Sequence, residues 1–159
     1  MRPAPPATEG SLERAALRYL ERYGGPEARL RRVLTRRAAR AAEAHGAPTP
    51  QEAAHTIAVV IAKLRGLGYL DDARFARERA RALRRRGKST RAIRAALAQL
   101  GLDAETLEGA IEGDDLEAAC AFVRRRRLEP GEASLAKLAR AGFSYDVARR
   151  ALEGALELR

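Results

Sequence analysis

In 159 residues the chain carries 31 Lys+Arg against 21 Asp+Glu, 2 His, 1 Cys and no Trp, for a net charge of +10 at pH 7. One cysteine excludes a disulfide-stapled fold, no run reaches the roughly 18 apolar residues of a membrane span, and Met1-Arg2-Pro3 leads into no hydrophobic signal core, so a cytoplasmic protein without membrane contact is expected. Hydrophobic residues make up 46% of the chain but aromatics only 4%, and 35 alanines with 20 leucines suit closely approaching helices, which points to an all-α fold.

Residues 1–10, with three prolines and a glycine, read as a flexible N-terminal arm. From Ser11, the residues Leu12, Ala16, Tyr19, Leu20 and Tyr23 share one helical face while Arg14, Arg18 and Arg22 stack on another. Gly24-Gly25 stops that helix, and Pro26 suits the first turn of a second, in which Leu30, Val33, Leu34, Arg37 and Ala38 continue that face and alanines carry the pattern to Ala44 before His45-Gly46. Thr49 and Glu52 form a capping box for a third helix burying Ala54, Ile57, Val60, Ile61 and Leu64 and ending near Gly66-Leu67-Gly68.

The arrangement then recurs. Asp71 or Asp72 caps a helix through Arg86, Gly87 ends it, Ser89 caps a helix through Leu100, Gly101 ends that, and Asp103 caps a short third. Asp114-Asp115 opens a further helix through Arg127, followed by one to Ala141 and a last one from Ser144. The stretch Leu97 to Asp103 matches Leu138 to Ser144 position for position. Three tandem three-helix repeats are therefore expected, over 11–70 with an extended second helix, 71–112 and 113–159. Units this small must share apolar surface with their neighbours, which predicts an elongated, gently curved right-handed or irregular helical array.

Charge is segregated along the chain. Residues 74–94 hold ten basic side chains and one acid, whereas 95–120 hold seven acids and no base. On the helix after Asp72, Arg74, Arg77, Arg81, Arg84, Arg85 and Lys88 share one arc, opposite Phe75, Ala76, Ala80, Ala82 and Leu83; Arg79 and Arg86 fall toward the apolar side, Arg86 near the end extending to water along its stem and Arg79 left to snorkel or to pair with an acid. A solubilising surface accounts for such an arc, but six like charges left to repel each other favour a face for a polyanionic partner. Arg91 and Arg94 widen it, and Arg31, Arg32 and Arg36 form a secondary patch.

Catalytic and metal chemistry find little support. His45 and His55 have no ligand-spaced companions, and Cys120 among alanines reads as a buried small hydrophobe. Asp71-Asp72 and Asp114-Asp115 open helices, where capping accounts for them. Gly87-Lys88-Ser89 lacks the upstream glycine of a phosphate loop. No enzyme and no cofactor are expected.

The string Gly68-Tyr69-Leu70-Asp71-Asp72-Ala73-Arg74-Phe75-Ala76, continued by Gly87, Ile93, Leu97, Gly101 and Leu102, resembles the RecX family of recombination regulatory proteins, with similarity over about residues 12–153. The resemblance implies a non-enzymatic monomer of three three-helix repeats. It would bind the RecA recombinase, above all its filament on single-stranded DNA, and inhibit ATP hydrolysis and strand exchange, with weak or indirect DNA contact. Two features depart from the family: it usually has an aromatic where Arg79 stands and often an arginine where Leu83 stands, and the stretch between Arg37 and Thr49 is longer here. Tyr69, Asp71, Asp72, Phe75, Ile93 and Leu97 are assigned structural roles, with Tyr69 and Phe75 locking repeats together. A DNA-binding regulator with mainly nonspecific phosphate contacts is the alternative; its groove helix would be Ser89 to Leu100, offering Arg91, Arg94 and Gln99.

Overall fold

A computed structural model describes residues 4–157, with side chains through 154. Positions 1–3 of the expected arm and 158–159 of the last expected repeat lie outside the described residues. Among those described the protein is all-α, with nine helices and no strand: α1 (Glu9–Tyr23), α2 (Glu27–His45), α3 (Pro50–Gly66), α4 (Asp72–Arg85), α5 (Thr90–Ala98), α6 (Ala104–Ala110), α7 (Asp115–Arg126), α8 (Glu132–Arg140) and α9 (Tyr145–Glu157). Their order accords with tandem three-helix repeats. By internal contacts the chain divides into two compact units between Phe75 and Ala76.

In the first unit α1, α2 and α3 pack on one another. Their shared core is built from leucines of α1 and α2, Leu12, Leu30 and Leu34, against Ile57, Val60, Ile61 and Leu64 of α3. Each such side chain withdrawn from water contributes about 1.5–3 kcal/mol before entropy is charged against it. Ala16 and Ala38 let the backbones come close. Two expectations change here: Ala53 rather than Ala54 faces the core, and Tyr23 is 63% exposed. α1 also starts earlier than the proline-rich arm suggested, because Thr8 accepts from the Ser11 amide as its cap. Pro26 stands just before α2 rather than within it. The capping box of α3 forms as expected, Thr49 and Glu52 each accepting from the other's amide. α2 spans 19 residues, against 9 for each of α5 and α8.

In the second unit α7 and α8 pack against α9, and α5 against α6. The α7–α9 core joins Ala118, Ala119 and Val123 to Leu138, Phe143, Ala148 and Leu152, with Phe122 meeting Phe143 edge-on at 6.0 Å. Cys120 is half-buried at its margin. The matched stretches behave alike: Leu97 and Leu138 are buried, Gly101 and Gly142 take positive φ, Leu102 and Phe143 are buried, and Asp103 and Ser144 accept from the amides of Thr106 and Val147.

Several helix ends use one device. The Tyr69, Lys88, Leu128 and Phe143 amides each donate back five residues, to the Leu64, Leu83, Val123 and Leu138 carbonyls. The intervening residue must then adopt a left-handed conformation. It is glycine in three of the four, but α7 ends on Arg127 at φ 50°. Arg127→Gly is therefore expected to raise stability by about 1 kcal/mol in urea unfolding followed by circular dichroism, by relieving the Cβ strain.

Candidate partner-binding surface

The paired aspartates divide their labour. Asp71 accepts from the Arg74 amide at 2.9 Å and so caps α4. Asp72 instead accepts from the Glu27 amide at 2.9 Å, supplying the side-chain cap that Pro26 cannot give α2. The second pair repeats this. Asp114 accepts from the Leu116 amide and caps α7, while Asp115 turns back to the Thr90 amide at 2.7 Å and hydroxyl at 2.8 Å, at the start of α5. In each pair the first aspartate serves its own helix and the second an earlier one.

Both borrowed caps sit beside arginines. Glu27 is held by Arg65 at 2.5 Å and Arg31 at 3.0 Å. Burial, the largest single influence, pushes the Glu27 carboxyl up, but the two guanidiniums outweigh it and leave the group below its ordinary range. Asp115 receives Arg84 at 2.6 Å. Burial again pushes upward and is outweighed, here by Arg84 together with the Thr90 amide and hydroxyl. The same Arg84 donates to the Thr90 hydroxyl and to the Lys88 and Gly113 carbonyls. A residue expected on the outer arc is thus drawn inward, its side chain 16% exposed.

The other basic residues of the arc stay outside. Arg77, Arg85, Lys88 and Arg91 are exposed and have no ion-pair partner among the described residues. Arg81 meets Glu112 at 3.5 Å and Arg94 meets Glu108 at 2.6 Å, all four groups well exposed. Arg74 is exposed and already engaged. The acidic stretch therefore folds back onto the basic one and compensates part of its charge, which separates the expected interaction face into paired and unpaired members. Arg79, expected toward the apolar side, is exposed. In the first unit Arg31 is paired with Glu27, Arg32 is exposed without an ion pair, and Arg36 bends its Nε toward the Arg32 carbonyl.

Among the residues given structural roles, Ile93 and Leu97 are fully buried and Phe75 is half-buried. Tyr69 is 59% exposed, whereas Leu70, next to it, is buried. Sequence periodicity missed Arg125, which reaches from α7 to the Arg86 and Arg85 carbonyls at 2.9 and 3.1 Å and caps the end of α4. Its only signal was membership of the run Arg124 to Arg127, where three identical neighbours conceal the one that reaches across to α4.

Among the described residues no His, Cys, Asp or Glu cluster is arranged to hold a metal ion, and no helix is long and apolar enough to cross a membrane. Helices in series with arginines displayed on their surface define an all-α helical-repeat protein. Residues 71–111 match the family model for the second three-helix domain of RecX. The regulatory protein RecX of Myxococcus xanthus is 36% identical over 158 residues, covering 89% of this chain and 84% of that protein. That of Stenotrophomonas maltophilia is 42% identical over 101 residues, covering 57% of this chain and 62% of that protein. The chain belongs to the RecX family of regulatory proteins.

Proposed function

We propose that this protein is a non-enzymatic regulator that binds the RecA recombinase on single-stranded DNA and inhibits its ATP hydrolysis and strand exchange. The exposed basic residues of α4 and α5 make the contact, with three-helix repeats over 11–70, 71–112 and 113–159 as the scaffold. Family membership supports the reading, and the observation that carries it is the set Arg77, Arg85, Lys88 and Arg91, exposed and without ion pairs among the described residues. Charges left open in this way favour a partner carrying the opposite sign, and several spaced contacts add up along a filament. Arg81 and Arg94 join them by exchanging exposed carboxylates for the partner, a small cost because surface pairs are worth only about 0–1 kcal/mol. Arg84 holds the surface together from behind, and Arg31, Arg32 and Arg36 form the second patch.

Titrating the protein against RecA-catalysed ATP hydrolysis on single-stranded DNA tests this. Inhibition at less than one molecule per RecA is expected, and Arg77→Glu with Arg91→Glu should raise the concentration needed at least tenfold while leaving helicity intact. Unchanged inhibition by that variant removes the patch. If RecA is unaffected while one duplex sequence is bound selectively, the protein is a DNA-binding regulator instead.

A further inference from the structure

The first unit carries a further arginine cluster, which shares Arg36 with the patch of Arg31, Arg32 and Arg36. The last turns of α1 and the middle of α2 flank an open groove of about 1310 Å³. Five arginines line it, Arg18 and Arg22 from α1 and Arg36, Arg37 and Arg40 from α2, together with Tyr19 and Tyr23. None of the five has an ion pair among the described residues, although Glu43 borders the same groove. Elsewhere in this chain, at Lys63, Arg65, Arg81, Arg84 and Arg94, cations meet carboxylates at 2.5–3.5 Å. The cluster is left uncompensated, as are Arg77, Arg85, Lys88 and Arg91 around α4 and α5. Arg37 is half withdrawn from water, and its Nε is buried with no hydrogen-bond partner among the described residues. An arginine in that state gains more from an arriving anion than a fully hydrated one does.

Two further properties select the anion. The groove is open and larger than the roughly 300–1,000 Å³ that enclose a small metabolite, which suits a segment of a longer polymer better than a small molecule. It also offers rings: Tyr19 and Tyr23 lie 5.3 Å apart, Arg22 sits 5.3 Å over the Tyr23 ring, and Tyr23 is 63% exposed. An acidic peptide would use the arginines but leave the rings idle. A duplex keeps its bases stacked on each other and cannot offer them. A single strand supplies phosphates and free base faces together, and grooves that combine guanidiniums with exposed rings suit that chemistry. The lining asks nothing specific of the sugar, so deoxyribose suffices.

We propose that the α1–α2 groove binds single-stranded DNA, its arginines holding phosphates and Tyr23 stacking on a base. The site acts without RecA and does not rest on the preceding proposal. The test uses the full chain and a fluorescent oligo(dT), followed by anisotropy over a range of salt concentrations without RecA. Tight binding that weakens with salt is expected. Arg22→Glu with Arg40→Glu should weaken it at least tenfold and flatten the salt dependence, by about 0.7 in log–log slope for each phosphate no longer neutralised. Tyr23→Ala, at a position too exposed to carry the fold, should weaken oligo(dT) about tenfold and leave an abasic oligomer unaffected. Wild-type affinity in both variants overturns the proposal. So does displacement of oligo(dT) by poly-glutamate at equal charge concentration, or a tenfold preference for duplex DNA or oligo(rU).

Discussion

Asp115→Ala is expected to lower stability by about 2–4 kcal/mol, measured by urea unfolding. The substitution strips the start of α5 of two hydrogen bonds to Thr90 and leaves Arg84, 16% exposed, facing a site with no carboxylate. Removing one member of a buried pair costs about 3–5 kcal/mol; about a quarter of Asp115 remains wet, so the figure falls at or below that range. Arg84→Met, which keeps much of the stem and removes the charge, should cost less alone, and the two changes together should cost less than their sum. Additive effects would show that Arg84 and Asp115 do not support each other. The carboxyl also predicts a pH dependence. Its folded-state value lies below its unfolded one, so the stabilisation is complete above about pH 4–5 and is lost as pH falls through the folded value. Asp115→Asn should flatten the acid limb of the stability profile.

Gly142→Ala should be comparably damaging, at about 2–4 kcal/mol. Gly142 turns the chain between α8 and α9 at φ 92°, where a side chain is strained by about 1–2 kcal/mol. A Cβ there would also overlap the Oγ of Ser89. Ser89 cannot simply swing aside, because that Oγ donates to the Ala141 carbonyl at 3.0 Å and accepts from the Ala92 amide at 3.1 Å as the cap of α5. Overpacking adds about 1–3 kcal/mol. Ser89→Ala costs a cap by itself, yet it should recover part of the loss in the Gly142→Ala background. Failure of that rescue would place the damage in the backbone alone.

Local chemistry was readable in the sequence because it is settled within a few residues. Thr49 with Glu52, Ser89, Asp103 and the glycine stops each act over one turn, so helix starts and ends fell close to where residue types put them. The buried stripe of α3 was legible too, except that Ala53 and Ala54 are equally small and periodicity cannot choose between them. What stayed hidden spans longer distances. Nothing within Asp71-Asp72 says that the second carboxylate bonds an amide 45 residues earlier. A helical wheel puts Arg84 on the same side as Arg77 and Arg81, but a long side chain follows its partner rather than its angle, and Asp115 decides the matter. The α1–α2 groove was half visible as the stripe Arg14, Arg18, Arg22. Its other wall belongs to α2, and the shared lining shows only once the two helices are packed.

The borrowed aspartates also bear on how the chain is made. A ribosome delivers residue 27 long before residue 72, and residue 90 before residue 115, so the Glu27 amide of α2 and the Thr90 amide of α5 wait unbonded while their carboxylates are still being translated. Each stretch is completed by the one that emerges after it, and a nascent chain stalled just short of either aspartate would leave one first-turn amide without its acceptor.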